Sequence, residues 1–310
     1  MATEGRFDET MANIQEHGRS HFMIVNPMAG RGRAARRLRK FRETTQTHLH
    51  VVETTCSGDA KRLAKEAIAD GFQTIVAAGG DGTVHEVACG ILESNRSDVV
   101  LGVLPIGSAN DFSWSLRKHA LVDGCLQIDV GRIQAKDGRS EYFVENVGMG
   151  LSGRVTVQSR QISWLQGMPL YSLAAIQAIC RMASQPFRIR IDGAQSDSNT
   201  TLFSVLIGQR EGSFVMAPDA KMDDGWFDFI HAFDVGKLEA MILLPRIAIG
   251  GPPRSHSKIA MGKCQRVEVG CESDLVIHTD GELFAVEGDG VKDVSIEIIP
   301  NRLQVLHLGL

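Results

Sequence analysis

The six cysteines of this 310-residue chain, at positions 56, 89, 125, 180, 264 and 271, never form a C-x-x-C pair. A disulfide framework or a zinc ribbon is therefore not expected, and the residues read as reduced, mostly buried thiols. No charge of one sign dominates: 33 Lys and Arg stand against 37 Asp and Glu, a formal net charge of -4. That balance gives no global pull towards nucleic acid, and no nucleic-acid partner is expected. Long apolar runs are missing too. Pro169–Cys180 and Leu238–Gly251 are too short, or too interrupted by Glu239 and Arg246, to cross a bilayer. Met1 to His21 is polar and mixed in charge, and reads as a loose tail rather than a signal peptide. There is no internal repeat, no G-x-x-x-x-G-K-[ST] and no G-x-S-x-G, and His85-Glu86 lacks the second His of a zinc-protease helix. The expectation is a cytosolic globular protein, with one large or two ordinary domains.

The organising stretch is Gly79-Gly80-Asp81-Gly82-Thr83. It follows the apolar run Thr74–Ala78, a buried strand, and precedes Val84–Leu92, where Val84, Val87, Ala88, Ile91 and Leu92 fall at helical spacing. Glycines let a backbone approach a ligand closely, and a helix start presents free N–H groups that favour phosphate. A carboxylate inside such a turn makes electrostatic sense only with a cation or a proton transfer, which points to phosphoryl chemistry.

In chain order, Phe22–Val25 reads as a strand ended by Asn26-Pro27. A helix opens at Gly30 and runs through Leu38 to Phe41; it carries Arg31, Arg33, Arg36, Arg37, Arg39, Lys40 and Arg42. These cations serve either as a solvated face or as contacts to phosphate or anionic lipid. Gly30-Arg31-Gly32-Arg33-Ala34-Ala35, with Glu53 ending strand Leu49–Glu53, also satisfies a dinucleotide fingerprint, and that alternative stays open. Ala60, Leu63, Ala64, Ala67 and Ile68 stripe one helix face, with Ser57 as its expected N-cap and Gly71 as its stop. Strand Val99–Leu104 then ends in a second polar turn, Gly107-Ser108-Ala109-Asn110-Asp111. Repeated strand–helix alternation predicts a parallel α/β sheet, with ligands at the strand ends.

Beyond Val130-Gly131 strand-like runs dominate: Glu141–Asn146, Phe187–Ile191, Leu202–Ile207, Trp226–Ala232, Arg266–Val269, Leu275–His278, Val294–Ile299 and Leu303–Leu308. They predict an antiparallel sandwich or barrel with two apolar helical inserts, Leu170–Met182 and Lys237–Ile249. Each insert reads as packing helix or as lining for a greasy substrate.

The order Asn26-Pro27, Thr54-Thr55, GGDGT, GSAND resembles the diacylglycerol kinase catalytic domain superfamily, which includes bacterial diacylglycerol kinases and sphingosine and ceramide kinases. The GGDG turn is also shared with NAD kinases and phosphofructokinases. Met216-Ala217-Pro218-Asp219-Ala220, Asp223-Asp224-Gly225 and Thr279-Asp280-Gly281-Glu282 extend the resemblance over roughly residues 21–310. It implies an N-terminal parallel α/β domain over 21–130, a β-sandwich domain over 131–299 that handles a lipid acceptor, and a tail 300–310 packed back on the first domain. It implies that Asn26, Thr54, Gly79, Gly80, Gly82, Thr83, Ser108 and Asn110 surround ATP. Asp81 and Asp111 would hold Mg²⁺ through water, and Asp224 a second, structural Mg²⁺. Asp280, supported by Glu282, would take the acceptor's proton, with Asp81 the other candidate base. Phosphoryl transfer needs this set: charge neutralisation, in-line positioning and a carboxylate on the incoming hydroxyl. Asp280 can share a site with Asp81 only if the two halves face each other. Ser108 stands for the usual Thr, and His85 for a frequent Asn as in sphingosine kinases, so the acceptor stays open. The expected function is a cytoplasmic, membrane-peripheral lipid kinase, with a homodimer possible. A soluble NAD kinase-like enzyme and a non-catalytic nucleotide-binding regulator are the alternatives.

Overall fold

A computed structural model describes residues 21–32, 49–117, 119 and 125–308. The chain divides into two compact units, Met1–Ile128 with Asn301–Leu310, and Asp129–Pro300. The expected tail 1–20 and the cationic helix beyond residue 32 lie outside the described residues. What is described after Asn26 is a single 3-10 turn, Ala29–Gly32, with Gly30 at φ 57°.

In the first unit β1 (His21–Val25), β2 (Leu49–Glu53), β3 (Thr74–Gly79) and β4 (Val100–Pro105) alternate with α1 (Asp59–Ala69), α2 (Asp81–Glu93) and the short α3 (Asp111–Leu116). The strands are parallel in the order β4-β3-β1-β2, and β1, β3 and β4 are buried at every residue. Continuous burial is why these strands read as unbroken apolar runs rather than alternating ones. Residues Gln304–His307 add a further parallel strand against Val100–Val103, and Leu306 and Leu308 join the core of Met23, Val76 and Leu104.

The apolar stripe of α1 is buried as expected, but its start differs. Ser57 does not cap it. Gly58 occupies the N-cap position at φ 84°, and Glu86 of α2 accepts the N–H groups of Gly58 and Ala60 at 2.8 and 3.0 Å. A carboxylate from another helix thus meets the positive helix end, a partnership 26 residues away in sequence. Helix α2 packs on α1 at Gly90, where a Cβ would sit 2.8 Å from both Ala64 Cβ and the Lys61 carbonyl oxygen. Gly90→Ala should therefore destabilise. Overpacking costs about 1–3 kcal/mol, more than the roughly 1 kcal/mol that alanine gains in a helix. Urea unfolding would check this, and a raised midpoint would refute it.

The second unit is mainly antiparallel. Its strands are β5 (Cys125–Ala135), β6 (Ser140–Phe143), β7 (Asn146–Gly150), β8 (Gln185–Ile191), β9 (Ala194–Leu206), β10 (Arg210–Glu211), β11 (Phe214–Val215), β12 (Phe227–Phe233), β13 (Ile259–Cys264), β14 (Arg266–Cys271), β15 (Ile277–Thr279), β16 (Glu282–Ala285) and β17 (Asp293–His307), of which β5 before Asp129 and β17 after Pro300 belong to the first unit. Long β9 pairs β8 through its first half, and β7 and β12 through its second. Three helices are inserted: α4 (Leu151–Ser159), α5 (Gly167–Arg181) and α6 (Lys237–Gly250).

Three sequence expectations change here. Glu141–Asn146 is not one strand, because the N–H groups of Val144, Glu145 and Asn146 all turn to the Asp280 carboxylate. Val294–Ile299 and Leu303–Leu308 fall in one strand, which pairs β14 through Asp293–Glu297 and β4 through Gln304–His307, with Asn301 at φ 49° between the two pairings. Helix α4 was not expected at all. It buries Ser152, Gly153 and Thr156, so no apolar stripe announces it.

Candidate active site

In the first unit the two glycine-rich turns touch. The N–H groups of Ile106 and Gly107 donate to the Gly79 carbonyl at 2.9 and 3.0 Å. A Cβ on Gly107 would overlap Gly80 Cα and come within 2.8 Å of Asn110 Oδ1, and one on Gly79 would overlap the Thr83 side chain. Backbone thus packs on backbone, and only glycine permits it. Asn26 belongs to the same cluster, its Nδ2 donating to Thr83 Oγ1 at 3.3 Å while its Oδ1 accepts Met28 N–H. Asn110 sits at φ 52° and donates through Nδ2 to the Gly107 carbonyl at 3.0 Å. Thr83 is buried, Gly80, Gly82 and Thr54 are half-buried, and Ser108 is exposed. Thr54 N–H is spent on the Val25 carbonyl, which places it at the end of β2 beside Asn26.

Asp81 opens α2 and Asp111 opens α3, so both stand at the ends of neighbouring strands. Burial in the surrounding protein, and then the charge of Asp111, push the Asp81 carboxyl up to about 7, although part of its surface stays open. The Phe112 N–H, donating to Asp81 Oδ1 at 3.3 Å, offsets this only in part. A carboxyl whose proton affinity is raised by a second carboxyl beside it is a donor set for a hard cation, and Mg²⁺ takes oxygen ligands of this type. The residues present fit that ion. His85, the departure noted in the sequence, is buried in α2 with its Nε2 3.7 Å from Cys89 Sγ.

In the second unit Asp280 and Gly281 form the two-residue turn between β15 and β16, at φ 50° and 82°. Both values are positive, as a type I′ hairpin requires. The Asp280 carboxylate is buried and accepts N–H groups from Val144 at 2.9 Å, Glu145 at 2.8 Å and Asn146 at 2.9 Å. Three such donors fix its position and the direction of its oxygens. Glu282 turns away and pairs with Arg160.

Beside that turn lies a cluster around His278, the histidine that strand alternation puts on the same face as Asp280; its partners Glu211 and Ser152 were not legible in the sequence. His278 Nδ1 accepts Gly281 N–H at 3.2 Å, which leaves its proton on Nε2. Nε2 then lies 3.0 Å from Glu211 Oε1 and 2.7 Å from Ser152 Oγ, and Ser152 also bonds Glu211. Burial acts to raise the Glu211 carboxyl, but the His278 and Ser152 bonds win and hold it below its ordinary value. The three residues are 126 positions apart at most, in α4, β10 and β15, and their spacing carries no signal. His278→Ala should lower stability by roughly 2–4 kcal/mol, because it takes one hydrogen-bond partner from the buried Glu211 carboxylate and the acceptor from the Gly281 N–H. Guanidinium unfolding checks it; a change under 1 kcal/mol would show the cluster to be incidental.

Asp224 does not present a comparable cation site. Lys263 Nζ lies 2.6 Å from Asp224 and 3.1 Å from Asp228, so a resident ammonium already serves both carboxylates. The donor set there does not fit a second Mg²⁺.

Comparison with known proteins agrees with this architecture. Residues 20–137 match the diacylglycerol kinase catalytic domain, and residues 145–307 match the YegS C-terminal NAD kinase beta sandwich-like domain. A protein of Bacillus subtilis named diacylglycerol kinase is 29% identical over 84% of this chain and 88% of its own length. One of Yersinia enterocolitica, named "Probable lipid kinase YegS-like", is 30% identical over 83% of this chain and 86% of its own. A crystal structure of a diacylglycerol kinase from Bacillus anthracis superposes with a TM-score of 0.66 at 21% identity, covering 93% of this chain and 96% of that one. The α/β unit with its paired glycine turns and the antiparallel unit thus coincide with the two matched domains of a kinase family. The chain belongs to the diacylglycerol kinase catalytic domain superfamily, a lipid kinase family.

Proposed function

We propose that the protein transfers the γ-phosphate of ATP to the hydroxyl of a lipid, diacylglycerol or a related lipid such as a sphingoid base, with Mg²⁺. The observation that carries this reading is the contact of the two glycine turns, with Asp81 and Asp111 at their helix starts. The stripped backbone of Gly79, Gly80, Gly82 and Gly107 leaves room for phosphates, and Thr83, Ser108, Asn110, Asn26 and Thr54 offer polar groups around them. Asp81 and Asp111 would hold Mg²⁺, which when bound offsets the negative charge of the phosphates. In the transfer the bond between the γ-phosphorus and the bridging oxygen breaks, a bond to the lipid oxygen forms, and ADP leaves. The hydroxyl proton goes to a carboxylate, for which Asp280 is the first candidate and Asp81 the second. Phosphoryl transfer asks mostly for positioning, and a carboxylate locked by three N–H donors supplies an immobile acceptor. Glu282, paired with Arg160, acts on the shape of the turn rather than on the proton.

We assign the protein to the cytoplasm as a membrane-peripheral enzyme. No helix among the described residues is long and apolar enough to cross a membrane. The test is labelled ATP with Mg²⁺ and mixed micelles of diacylglycerol, sphingosine, ceramide or phosphatidylglycerol. Label in one lipid is expected. Label in NAD alone would instead favour a soluble kinase, and nucleotide binding with no labelled product a regulator.

A further inference from the structure

Large apolar side chains on the surface of the second unit are concentrated on two helices and the loop before them. Ile249 is 91% exposed, Leu238 77%, Trp164 66%, Ile242 58%, Met168 41% and Ile176 39%. Single exposed apolar residues are ordinary, but six on adjoining elements are not. On α6 the outward positions 238, 242 and 249 recur at helical spacing, while Ala240 and Leu243 point into the core. The two helices are packed side by side and run in opposite directions. Lys237 Nζ at the start of α6 bonds the Cys180 carbonyl at the end of α5, at 2.9 Å. At the other end, Tyr171 of α5 lies against Gly212, and Gly251 after α6 lies against Val215.

The exposed charge on the two helices is mostly positive. Arg181, Lys237 and Arg246 are exposed on the two helices, α5 carries no acid, and α6 has only Glu239. Glu239 is already engaged by Lys258 at 2.7 Å and His256 at 3.4 Å. A positive, apolar face thus occurs on a chain whose formal net charge is -4. With 15 and 14 residues, the helices suit a position in the plane of an interface rather than across a bilayer.

We propose that this face of α5 and α6 seats the protein on an anionic lipid bilayer, with Trp164, Leu238, Ile242 and Ile249 entering the headgroup boundary. The proposal deepens the lipid-kinase reading and rests on it for the identity of the surface that carries the acceptor. A second copy of the chain is the weaker occupant. A two-fold interface would gather the Lys237 and Arg246 cations of both copies on one buried patch, whereas anionic headgroups neutralise them.

The test is co-sedimentation with phosphatidylglycerol and phosphatidylcholine vesicles, using wild type and L238D/I242D. Wild type should bind phosphatidylglycerol vesicles more tightly than phosphatidylcholine, and the double variant should bind at least about tenfold more weakly. Brominated lipids should quench the fluorescence of wild type, and a W164F variant should lose most of that quenching. The variant should keep wild-type phosphorylation of a short-chain acceptor free in solution. Equal vesicle binding by wild type and variant, or none by wild type, would overturn the proposal. So would a wild-type dimer in light scattering that the variant abolishes, with no vesicle binding. Vesicle binding through this face without labelling of any lipid would support the face and sink the lipid-kinase reading instead.

Discussion

Asp280→Asn is expected to reduce turnover by about 10²–10⁴-fold while leaving nucleotide affinity near wild type, because a general base acts in the transition state. The carboxylate accepts three backbone N–H groups from residues 144–146, and an amide cannot accept all three in the same way. At least one N–H would then face an NH₂ group, which adds a stability cost of about 1–3 kcal/mol. The two effects separate experimentally. Turnover and ATP affinity are measured well below the variant's melting temperature, and the melting temperature is recorded beside them. Loss of turnover with native-like folding and retained ATP binding supports the proton role. Unchanged turnover would remove Asp280 from the chemistry and leave it as the anchor of the β15–β16 turn, with Asp81 as the remaining base.

The second large effect concerns Asp81. Burial and the neighbouring Asp111 raise its carboxyl from 3.8 to about 7. A carboxylate raised in the folded state binds more protons there than in the unfolded chain, so stability falls as pH rises between those values. Without divalent cation, wild type should lose stability relative to Asp81→Asn from pH 4 to pH 7, and Mg²⁺ should restore it. The difference between the two proteins is the proper readout, because other groups titrate in the same range. His231 and His307 are held down to about 4 by burial, and they contribute the opposite slope, with stability lost as pH falls below 6.5. Asp81→Asn should also cost at least about 10²-fold in kcat/KM if its charge serves the metal and phosphates. A melting temperature that ignores Mg²⁺ in wild type at pH 7 would remove the cation from this pair.

Much of the first unit was legible from residue order. Strands with continuous apolar burial and a helix with a five-residue stripe are local patterns, and β1, β3, β4 and α1 follow from them. The glycine turns were legible as well, since a Gly-rich link between strand and helix has few other uses. The cap on α1 was not, because Glu86 comes from another helix. Nor was the break between β6 and β7, caused by a carboxylate some 135 residues later.

Residue types and their order thus determined the kinase family, the glycine turns and the acidic residues within them, since these depend on short-range geometry and chemical character. Only the tertiary structure decided what each carboxylate meets. Asp81 faces Asp111, Asp280 faces three N–H groups, Asp224 faces Lys263, and Glu211 faces His278. A carboxylate's proton affinity and partners are set by whatever folding brings within a few ångströms, and a one-dimensional spacing holds no record of that.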